Sequence, residues 1–594
     1  MRTRILATLA TVLVAWPAAS ASADNSALER YGADTWRSFV AMTDETSGLP
    51  ADSLRADGTR SVQTSTTNIG AYMWSTLVAE KLGIIGHGET VARLTATIGT
   101  LERMERHDPS GQYFNWYDHR TGATLTEWPP TGAELTPILS SVDNGWLATG
   151  LRLVERGVPE LAPRAKALFD SMNFGFYYRP DRNQILFHYV PSTGQQVCCY
   201  DTIVSESRIA SYIGIAKGEI PARHYYGAYR SFPDSCAWSW QETRPLGFTS
   251  YNFGVSVFEG SYPYAGMRVT PSWGGSMFEA LMPPLFVPED RWAPGSWRAN
   301  HPLTAKAQIH HGLVQAAYGY WGFSPANVPE GGYAAYGVDG IGMDPNGYPS
   351  NEDSTLVDSG FSGCREPGPE PPPSAYTNGV VTPHAAFLAL RWEPQQALAN
   401  LQRLEADFDA YDQWGFRDSI NVDTGVASQF YLSLDQGMIM AAIGNSLGSD
   451  LLREAFATRA TERALRPVMG VEEFNADPRG CTITGTRADE RLRGTAGHDV
   501  ICAGGGEDEI AGGGGDDAIF GDGGDDRISG ESGNDTLYGD AGDDALEGGD
   551  GEDVLAGGDG DDNLAGGGGA DHHEGGRGTN RCSGTAEDTS NACG

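Results

Sequence analysis

The 594-residue chain is poor in positive charge and lacks several common catalytic motifs. It has 41 Lys and Arg residues against 78 Asp and Glu residues, which gives a formal net charge of −37. Phosphate backbones repel such a chain, so its composition argues against nucleic-acid binding. No CxxC, HExxH or GxxxxGKS/T motif occurs, which argues against the usual zinc sites and phosphate-binding loops.

Long apolar runs are also missing after the first residues, so no transmembrane segment is predicted. Arg2 and Arg4 precede an apolar core at Ile5–Trp16, and Ala21-Ser22-Ala23 provides a small-residue cleavage site. We therefore predict a signal peptide over residues 1–23 and a secreted, extracellular protein.

Cysteine is scarce, with eight residues in two separated groups of four. Even numbers in a secreted chain predict disulfides, but four cysteines allow three pairings, so the partners stay open. The groups are Cys198, Cys199, Cys236 and Cys364, then Cys481, Cys502, Cys582 and Cys593.

The tail from Cys481 onward holds 27 acidic and 6 basic residues and has an aspartate every nine residues. An aliphatic residue follows two positions after each aspartate, from Ile501 to Leu564, and glycines fill the turns. Gly485–Gly578 resembles the RTX calcium-binding nonapeptide repeat, GGxGxDxUx, which implies a parallel β-roll that binds Ca²⁺. An acidic glycine-rich linker is the alternative, but the unbroken register disfavours it. The predicted ligands are Asp499, Asp508, Asp517, Asp526, Asp535, Asp544, Asp553 and Asp562.

The region before the tail has a helical pattern, with apolar residues three and four apart, as in Leu94, Ile98 and Leu101. Helices alternating with aromatic loops such as Tyr113–Tyr117 indicate an α/α toroid around a central cleft. We predict a helical domain over residues 24–475, a linker over 476–484, and the β-roll with its C-terminal cap over 485–594. We expect chelation to unfold the tail and spare the helical domain. The predicted helices are Ala33–Met42, Thr67–Leu82, Glu89–Arg106, Ser140–Arg156, Ala162–Met172, Val204–Ala216, Gly274–Leu281, Leu303–Tyr320, Pro383–Leu390, Pro394–Asp407, Ser433–Leu447 and Ser449–Arg463.

Seven segments of this region, taken in order, resemble the bacterial glucoamylase-like family. That family includes endo-β-1,2-glucanases and the C-terminal region of cyclic β-1,2-glucan synthases. The resemblance implies an (α/α)6 barrel that acts on β-linked glucans. The segments are Thr64–Ile85, Phe114–Thr121, Ser141–Leu147, Ser205–Pro221, Ser272–Pro283, Tyr320–Gly342 and Leu434–Met438.

Glycoside hydrolysis needs two carboxyl groups, one protonated to assist the leaving group and one ionised. Each acidic candidate in the matching segments also has a structural alternative, namely helix capping for Asp143 and Asp435 and an ion pair for Glu206 and Glu279. We predict Glu206 as an acid or sugar ligand and Asp435 as a base or substrate ligand. Aromatic side chains suit stacking on sugar rings, although core or rim packing is their alternative. The catalytic candidates are Glu206, Asp435, Glu279 and Asp143, and the substrate-binding candidates are Trp273, Trp146, Tyr333, Tyr336 and Trp321.

One segment departs from the synthase-like pattern. There the Trp-Gly pair continues into a serine–glutamate–serine run, but here Trp321–Asn327 contains no glutamate. This disfavours retaining transglycosylation and favours a hydrolase, with β-1,2-glucan as the first candidate substrate. Two alternatives stay open: a non-catalytic glycan-binding protein or surface adhesin, and a polysaccharide lyase. The predicted partners are a polysaccharide or oligosaccharide, calcium, and in the adhesin case a cell surface.

Overall fold

The computed structural model describes residues 19–232, 235, 244–329, 331–343 and 372–593. Most of the predicted signal peptide lies outside these ranges, as do Cys236 and Cys364. In the described part, the region before the tail is mainly helical. Its helices are α1 (Ala19–Met42), α2 (Thr66–Lys81), α3 (His87–Leu101), α4 (Ser141–Gly157), α5 (Ala162–Ser171), α6 (Arg208–Ala216), α7 (Met277–Leu281), α8 (Glu289–Trp292), α9 (Trp297–His310), α10 (Pro383–Leu388), α11 (Pro394–Asp407), α12 (Ser433–Gly448), α13 (Leu451–Phe456) and α14 (Arg459–Gly470).

Six of these helices form an inner ring, in the order α2, α4, α6, α7, α10 and α12. Helix α12 packs on α2, α2 on α4 and α4 on α6, while α10 contacts both α7 and α12. The α6–α7 step is closed by hydrogen bonds from Arg208 to backbone carbonyls of α7. Outer helices α1, α3, α5, α14, α9 and α11 each pack on the inner ring, and α1 contacts both α12 and α2. The predicted α/α toroid is confirmed.

Small residues allow the inner helices to approach closely. A Cβ atom at Gly70 would lie 2.6 Å from the carbonyl oxygen of Trp146, so the backbones of α2 and α4 approach each other directly. A Cβ at Gly437 would lie 2.6 Å from Ala71, which places the same restriction on α12 and α2. Interiors are close-packed, so these glycines set the diameter of the ring on this side.

Most predicted helices are present, with errors at their ends. Pro394–Asp407 is confirmed residue for residue. The prediction of Glu89–Arg106 is too long, because the chain leaves the helix after Leu101 and pairs Arg106–His107 with Gln112–Tyr113. The prediction of one helix over Ser449–Arg463 is wrong, since α13 ends at Phe456 and Thr458 caps a new helix, α14.

Short sheets lie at the edges of the ring, and those described here are antiparallel except for the parallel pairing of Ser272–Trp273 with Gly342–Met343. The strand predicted at Gln184–Tyr189 is found at Gln184–Val190, between Leu139–Ser140 and Gln195–Tyr200, and also pairs with Tyr178–Arg179. A second sheet joins Leu246–Asn252, Val255–Tyr264 and Met267–Val269. Cys198 and Cys199, in the first sheet, are bonded to each other. The remaining pairings are Ser53–Arg55 with Phe430–Leu432, Gln63–Ser65 with Trp116–Asp118, Glu127–Trp128 with Ala133–Glu134, Ser272–Trp273 with Gly342–Met343, Ala326–Asn327 with Tyr333–Ala334, Ile420–Asn421 with both Val380–Val381 and Val426–Ala427, and Tyr411–Asp412 with Gly415–Phe416.

The tail folds into a roll of two parallel sheets. Successive nonapeptides alternate between the sheets, so each strand pairs with the strand 18 residues away. The aliphatic residues from Ile501 to Leu564 fill the space between them, as predicted. Cys481–Cys502 and Cys582–Cys593 are bonded near the two ends. The seven-stranded sheet comprises Ile483–Thr484, Val500–Cys502, Ala518–Phe520, Thr536–Ala541, Val554–Asp559, His572–Arg577 and Thr589–Asn591, and the six-stranded sheet Arg491–Arg493, Glu509–Gly514, Arg527–Ser532, Ala545–Asp550, Asn563–Gly568 and Arg581–Ser583.

The seven-stranded sheet packs against the helical ring, and we call this contact the seam. Val554 joins the hydrophobic core of the ring, and the Tyr538 hydroxyl donates to the carbonyl of Gly470 at the end of α14. Arg466, 6% exposed, donates to the carbonyls of Asn534 at 2.8 Å and Asp535 at 2.9 Å. The predicted linker begins in a pairing of Asp477 with Arg268, whose backbones exchange two 3.1 Å hydrogen bonds.

Candidate active site

The N-terminal ends of the inner helices gather at one end of the ring. Thr67 of α2 donates to Asp143 of α4, and Trp146 of α4 donates to Glu206 just before α6. Glu206 in turn donates through its backbone to Glu279 of α7. Carboxylates are favoured beside helix N-termini, whose free N–H groups carry partial positive charge. Side chains that are far apart in the sequence therefore converge here.

Glu206 and Glu279 form the first carboxyl pair. Glu279 Oε2 accepts from the backbone nitrogen of Glu206 at 2.8 Å, and Glu206 Oε2 accepts from Trp146 Nε1 at 2.6 Å. Burial, and then the negative charge of Glu279, raise the pKa of Glu206 well above its ordinary value. A carboxyl group with a raised pKa keeps its proton near neutral pH, which is what a general acid requires.

Arg208 links the two chain segments that carry Glu206 and Glu279. Its guanidinium makes two hydrogen bonds to the buried Glu289 carboxylate, at 2.7 and 3.0 Å. The same group donates to the carbonyls of Ser205 and Glu279, at 2.9 Å each, and so ties together the segments that carry both carboxyls. The structural alternative for Glu206 was an ion pair with Arg208. This ion pair is not observed, because the Arg208 guanidinium binds the Glu289 carboxylate instead.

Asp143 lies in the first turn of α4, with Ser140 as the capping residue. Its Oδ1 accepts from the Thr67 hydroxyl at 2.6 Å. When the Asn115 amide is oriented so that its oxygen accepts from Trp116 Nε1, its nitrogen donates to Asp143 Oδ2 at 2.7 Å. Burial raises the pKa of Asp143. Asp143 thus joins the polar cluster beside Glu206, and the helix is capped by Ser140 rather than by Asp143.

Asp435 belongs to a second carboxyl pair that the sequence analysis missed, because its partner Asp418 lies in a loop outside the matching segments. Burial raises the pKa of Asp435 well above its usual value, with Asp418 as the next cause, and burial raises the pKa of Asp418 to about 6. Asp418 Oδ2 accepts from the backbone nitrogen of Asn327 at 2.6 Å. Asp52, held by Asn68 and also missed, adds a further buried carboxyl group nearby.

Two tyrosines connect the pairs. The side chain of Tyr333 is 65% exposed. Loss of water around its hydroxyl is the main cause that raises its pKa. The negative charges of Asp435, Asp418, Glu206 and Glu279 raise the pKa further, so all four carboxylates are close to this hydroxyl. Tyr200, which was not predicted, is affected in the same way by Glu206, Asp143 and Glu279. Both phenols therefore lie among the carboxyl groups of one cleft.

The aromatic predictions divide into two groups. Trp273 is half-buried and packs edge-on against Phe187 and Tyr200, at ring distances of 5.8 and 5.9 Å. Trp146, Trp321 and Tyr336 are 0, 1 and 2% exposed, which favours the alternative of core packing for these three rings. Trp146 instead positions Glu206, and the Trp321 backbone is held by the Asn400 amide. Sequence pattern alone gave no signal separating buried rings from exposed ones.

The roll presents a different and repeated carboxyl arrangement. The Oδ1 atom of each central aspartate accepts from the backbone nitrogen of the aspartate 18 residues earlier, as in Asp517 with Asp499 and Asp535 with Asp517, both at 2.8 Å. The Oδ2 atoms are buried without a hydrogen-bond partner. This holds for Asp508, Asp517, Asp526, Asp535, Asp544, Asp553, Asp562 and also Asp571, which was not predicted. Asp499 differs, because its Oδ2 accepts from Thr495.

These unpartnered oxygens fit a calcium ion. Burial raises the pKa of Asp517 and Asp535 to about 6 and of Asp544 and Asp553 to about 7. Hard oxygen ligands with no other partner are what Ca²⁺ prefers. Glycine makes room for them, since a Cβ at Gly530 would lie 2.2 Å from Asp535 Oδ2.

Comparison with known proteins agrees with both resemblances. Residues 241–460 match a family model described as "Putative glucoamylase". Residues 484–519, 512–546, 520–555 and 547–582 match the RTX calcium-binding nonapeptide repeat. The chain therefore carries a glucoamylase-like domain followed by RTX repeats.

A curated relative is the cyclic β-(1,2)-glucan synthase NdvB of Rhizobium meliloti (strain 1021), which is 24% identical over 563 residues. The match covers 71% of this chain but only 18% of that relative. Among solved structures, the endo-β-1,2-glucanase of Chitinophaga pinensis, in complex with sophorotriose and glucose, has a TM-score of 0.53 at 18% identity, covering 76% of this chain and 98% of its own. The β-1,2-glucanase of Parabacteroides distasonis has a TM-score of 0.56 at 15% identity, covering 75% and 60%. At these identities the likeness shows the α/α toroid fold.

None of the helices in the described part of the chain combines the length and the apolarity that a membrane span needs.

Proposed function

We propose that this chain is a glycoside hydrolase that cleaves β-linked glucans, with β-1,2-glucan as the first substrate to test. The observation that carries the proposal is the convergence of two carboxyl pairs, Glu206 with Glu279 and Asp418 with Asp435, around one cleft. Glycosidases need such a pair of carboxyl roles. The glucanases that share the fold, and the glucan synthase relative, support the choice of glucan.

Glu206 is the proposed general acid. One oxygen is held by the Trp146 indole, which leaves the other to face the cleft. In the proposed step, its proton passes to the glycosidic oxygen as the bond from that oxygen to the anomeric carbon breaks. Glu279, bonded to the Glu206 backbone, keeps the proton on Glu206 by repelling a second negative charge.

The proposed base is Asp435 acting as a pair with Asp418, because burial raises the pKa of Asp418 only to about 6, so the pair shares one proton near neutral pH and keeps one carboxyl charge. A base on the other side of the cleft takes a proton from water as the water oxygen attacks the anomeric carbon. Asp143 lies beside Glu206 and is proposed as a sugar ligand, since the Thr67 hydroxyl fixes its position. Trp273, Tyr200 and Tyr333 are the proposed sugar-contacting rings, because they alone among the aromatics discussed are partly exposed beside the carboxyls.

We also propose that the protein is secreted and that its roll binds Ca²⁺ outside the cell. The leader-like sequence and the unpartnered aspartate oxygens of the roll support this. Calcium is abundant outside cells, where the ion would hold the like-charged aspartates together. Attachment to a cell surface is a further role that this roll would allow.

The direct test is a product analysis on β-1,2-, β-1,3-, β-1,4- and α-1,4-glucans with added Ca²⁺. We expect new reducing ends from β-1,2-glucan, and we expect Glu206→Gln and Asp435→Asn each to reduce kcat by about 100-fold or more. Glu102→Gln is the matched control, because Glu102 makes an exposed ion pair with Arg164 on the outer ring. No turnover in the parent on any glucan, with glycan binding retained, would instead support the adhesin, and unsaturated product ends would support the lyase.

A further inference from the structure

One histidine in the cleft is left without a hydrogen-bond partner. His384, in the first turn of α10, is 1% exposed, and neither of its ring nitrogens has a partner. A buried polar group that is left unsatisfied destabilises the fold. Such a group in a native fold calls for an explanation, and its neighbours supply one.

Two buried carboxyl oxygens lie beside this histidine and are also unpartnered. They are Asp418 Oδ1 and Asp435 Oδ2, on side chains 2 and 5% exposed. His384 Nδ1 lies 3.4 Å from Asp435 Oδ2, and ligand atoms of the three residues all lie within 4.8 Å of one another. One imidazole and two carboxyl groups therefore point at a common centre.

We propose that His384, Asp418 and Asp435 form a binding site for a zinc-class divalent metal ion. A tetrahedral ion with bonds of about 2.1 Å has ligand atoms about 3.4 Å apart, which matches the His384–Asp435 contact. Three protein ligands would leave a fourth position for water or another small ligand. A mixed nitrogen and oxygen set suits Zn²⁺ and its neighbours better than Ca²⁺, which takes six to eight oxygens.

The spacing of residues in the sequence gave no indication of this site, because its three ligands are far apart in the chain. The three ligands are separated by 34 and 17 residues, and they come from α10, a loop and α12. The aspartate ladder of the roll is a poorer match for such an ion, since it offers oxygen ligands alone.

Binding is the primary test, and it does not depend on the enzyme being active. Untagged protein is held in saturating Ca²⁺, so that the roll is filled, and is titrated with Zn²⁺ by calorimetry and with Co²⁺ by visible absorption. We expect one tight equivalent per chain, with affinity reduced about 100-fold or more in His384→Ala, since even outer-shell changes cost about 10–100-fold. His311→Ala is the matched control, because His311 is equally buried but bonds only to Gln315.

Asp418→Asn and Asp435→Asn repeat the test without removing the ring, in case His384→Ala fails to fold. Loss of the same equivalent in these variants supports the site. A parent that binds no Zn²⁺ under these conditions, or variants that bind as the parent does, overturns it, and a proton shared by the two aspartates then accounts for the cluster.

A second readout rests on the proposed function. An ion held by Asp435 occupies the carboxylate that would accept a proton from water, so Zn²⁺ is expected to inhibit glucan hydrolysis. Inhibition should follow the occupancy measured by calorimetry. Failure of the hydrolysis assay itself would bear on the proposed function alone, because the binding measurement stands without it.

Discussion

The ring and the roll both bury carboxyl groups, but they stabilise them in opposite ways. In the roll, one contact is repeated from Asp508 to Asp571: each Oδ1 accepts a backbone N–H, and each Oδ2 is left open. Around Glu206 in the ring, the carboxyls have individual side-chain partners, such as Trp146 for Glu206 and Thr67 for Asp143. The roll therefore depends on a cation at every repeat, whereas the Glu206 side of the cleft uses internal donors.

Calcium removal should produce the largest difference between the two regions. With chelator, the roll is expected to lose its β-signal, because nothing then offsets the repulsion of its aspartates. The ring is also expected to lose some stability, although the sequence predicted that it would be spared. The reason is that the seam contacts of Val554, Tyr538 and Arg466 would be lost with the roll. Circular dichroism should show helical signal retained at low temperature but a melting point lowered by several degrees. A roll that stays folded in chelator would contradict the calcium dependence.

Breaking the buried pair under the cleft should affect the ring alone. Arg208→Gln leaves Glu289 without its main partner, which is expected to cost about 3–5 kcal/mol of unfolding free energy. The pKa of Glu289 is lowered to about 2, with the positive charge of Arg208 opposing the effect of burial. The pair therefore contributes fully above the ordinary Glu pKa and loses its contribution as the pH falls toward 2.

The measurement is chemical denaturation of the ring at pH 7 and pH 3 in the parent and the variant. We expect the difference between the two proteins to shrink at pH 3. Arg164→Gln is the control, since it removes an exposed pair with Glu102 that should be worth at most about 1 kcal/mol. An equal loss at both pH values would contradict the assignment to Glu289.

Adding one methyl group should have different effects at two glycines of the roll, because Gly530 is crowded by a neighbouring aspartate and Gly523 is not. Gly530→Ala would place Cβ 2.2 Å from Asp535 Oδ2, so we expect weaker calcium binding and a loss of about 1–3 kcal/mol. Gly523→Ala is the matched control, because no atom lies within 4 Å of its Cβ position. Calcium titrations followed by circular dichroism compare the two. Equal midpoints in both variants would show that Oδ2 is not a ligand.

The smallest effect concerns the pH profile of hydrolysis. Glu279→Gln removes the charge that helps raise the pKa of Glu206, so that pKa should fall toward its ordinary value. The acid then loses its proton at lower pH, and the alkaline limb of kcat/KM is expected to move to lower pH. A lowered rate with an unmoved limb would mean that Glu279 acts on substrate rather than through Glu206.

Sequence reasoning succeeded for the roll because repetition is visible in one dimension. The nine-residue register predicted the strands, the inward aliphatics and the aspartate ladder from Asp508 to Asp562. The two ends differ, because Asp499 bonds to Thr495 and Asp571 was not predicted as a ligand. Each repeat has the same neighbours, so a rule inferred at one position applies at the next.

The cleft was only partly predictable. Glu206, Glu279, Asp143 and Asp435 were found because they lie in segments with a family resemblance or at helix starts. The sequence analysis missed four residues of the cleft, because no local pattern marks a carboxyl group in a loop or a histidine in the first turn of a helix. They are Asp418, Asp52, His384 and Tyr200. Their environments also depend on neighbours up to more than 300 residues away, such as Asp52 for Asp435, which only the closed ring brings together.

The alternation of repeats between two sheets limits how the tail can change in length. Phe520, Tyr538, Val554 and His572 all lie on the seven-stranded sheet, which faces the ring. Deleting one nonapeptide ahead of them would move all four to the opposite face and present their side chains to solvent. Deleting two would restore the original facing. Insertions and deletions in this part of the gene should therefore be tolerated only in multiples of eighteen codons.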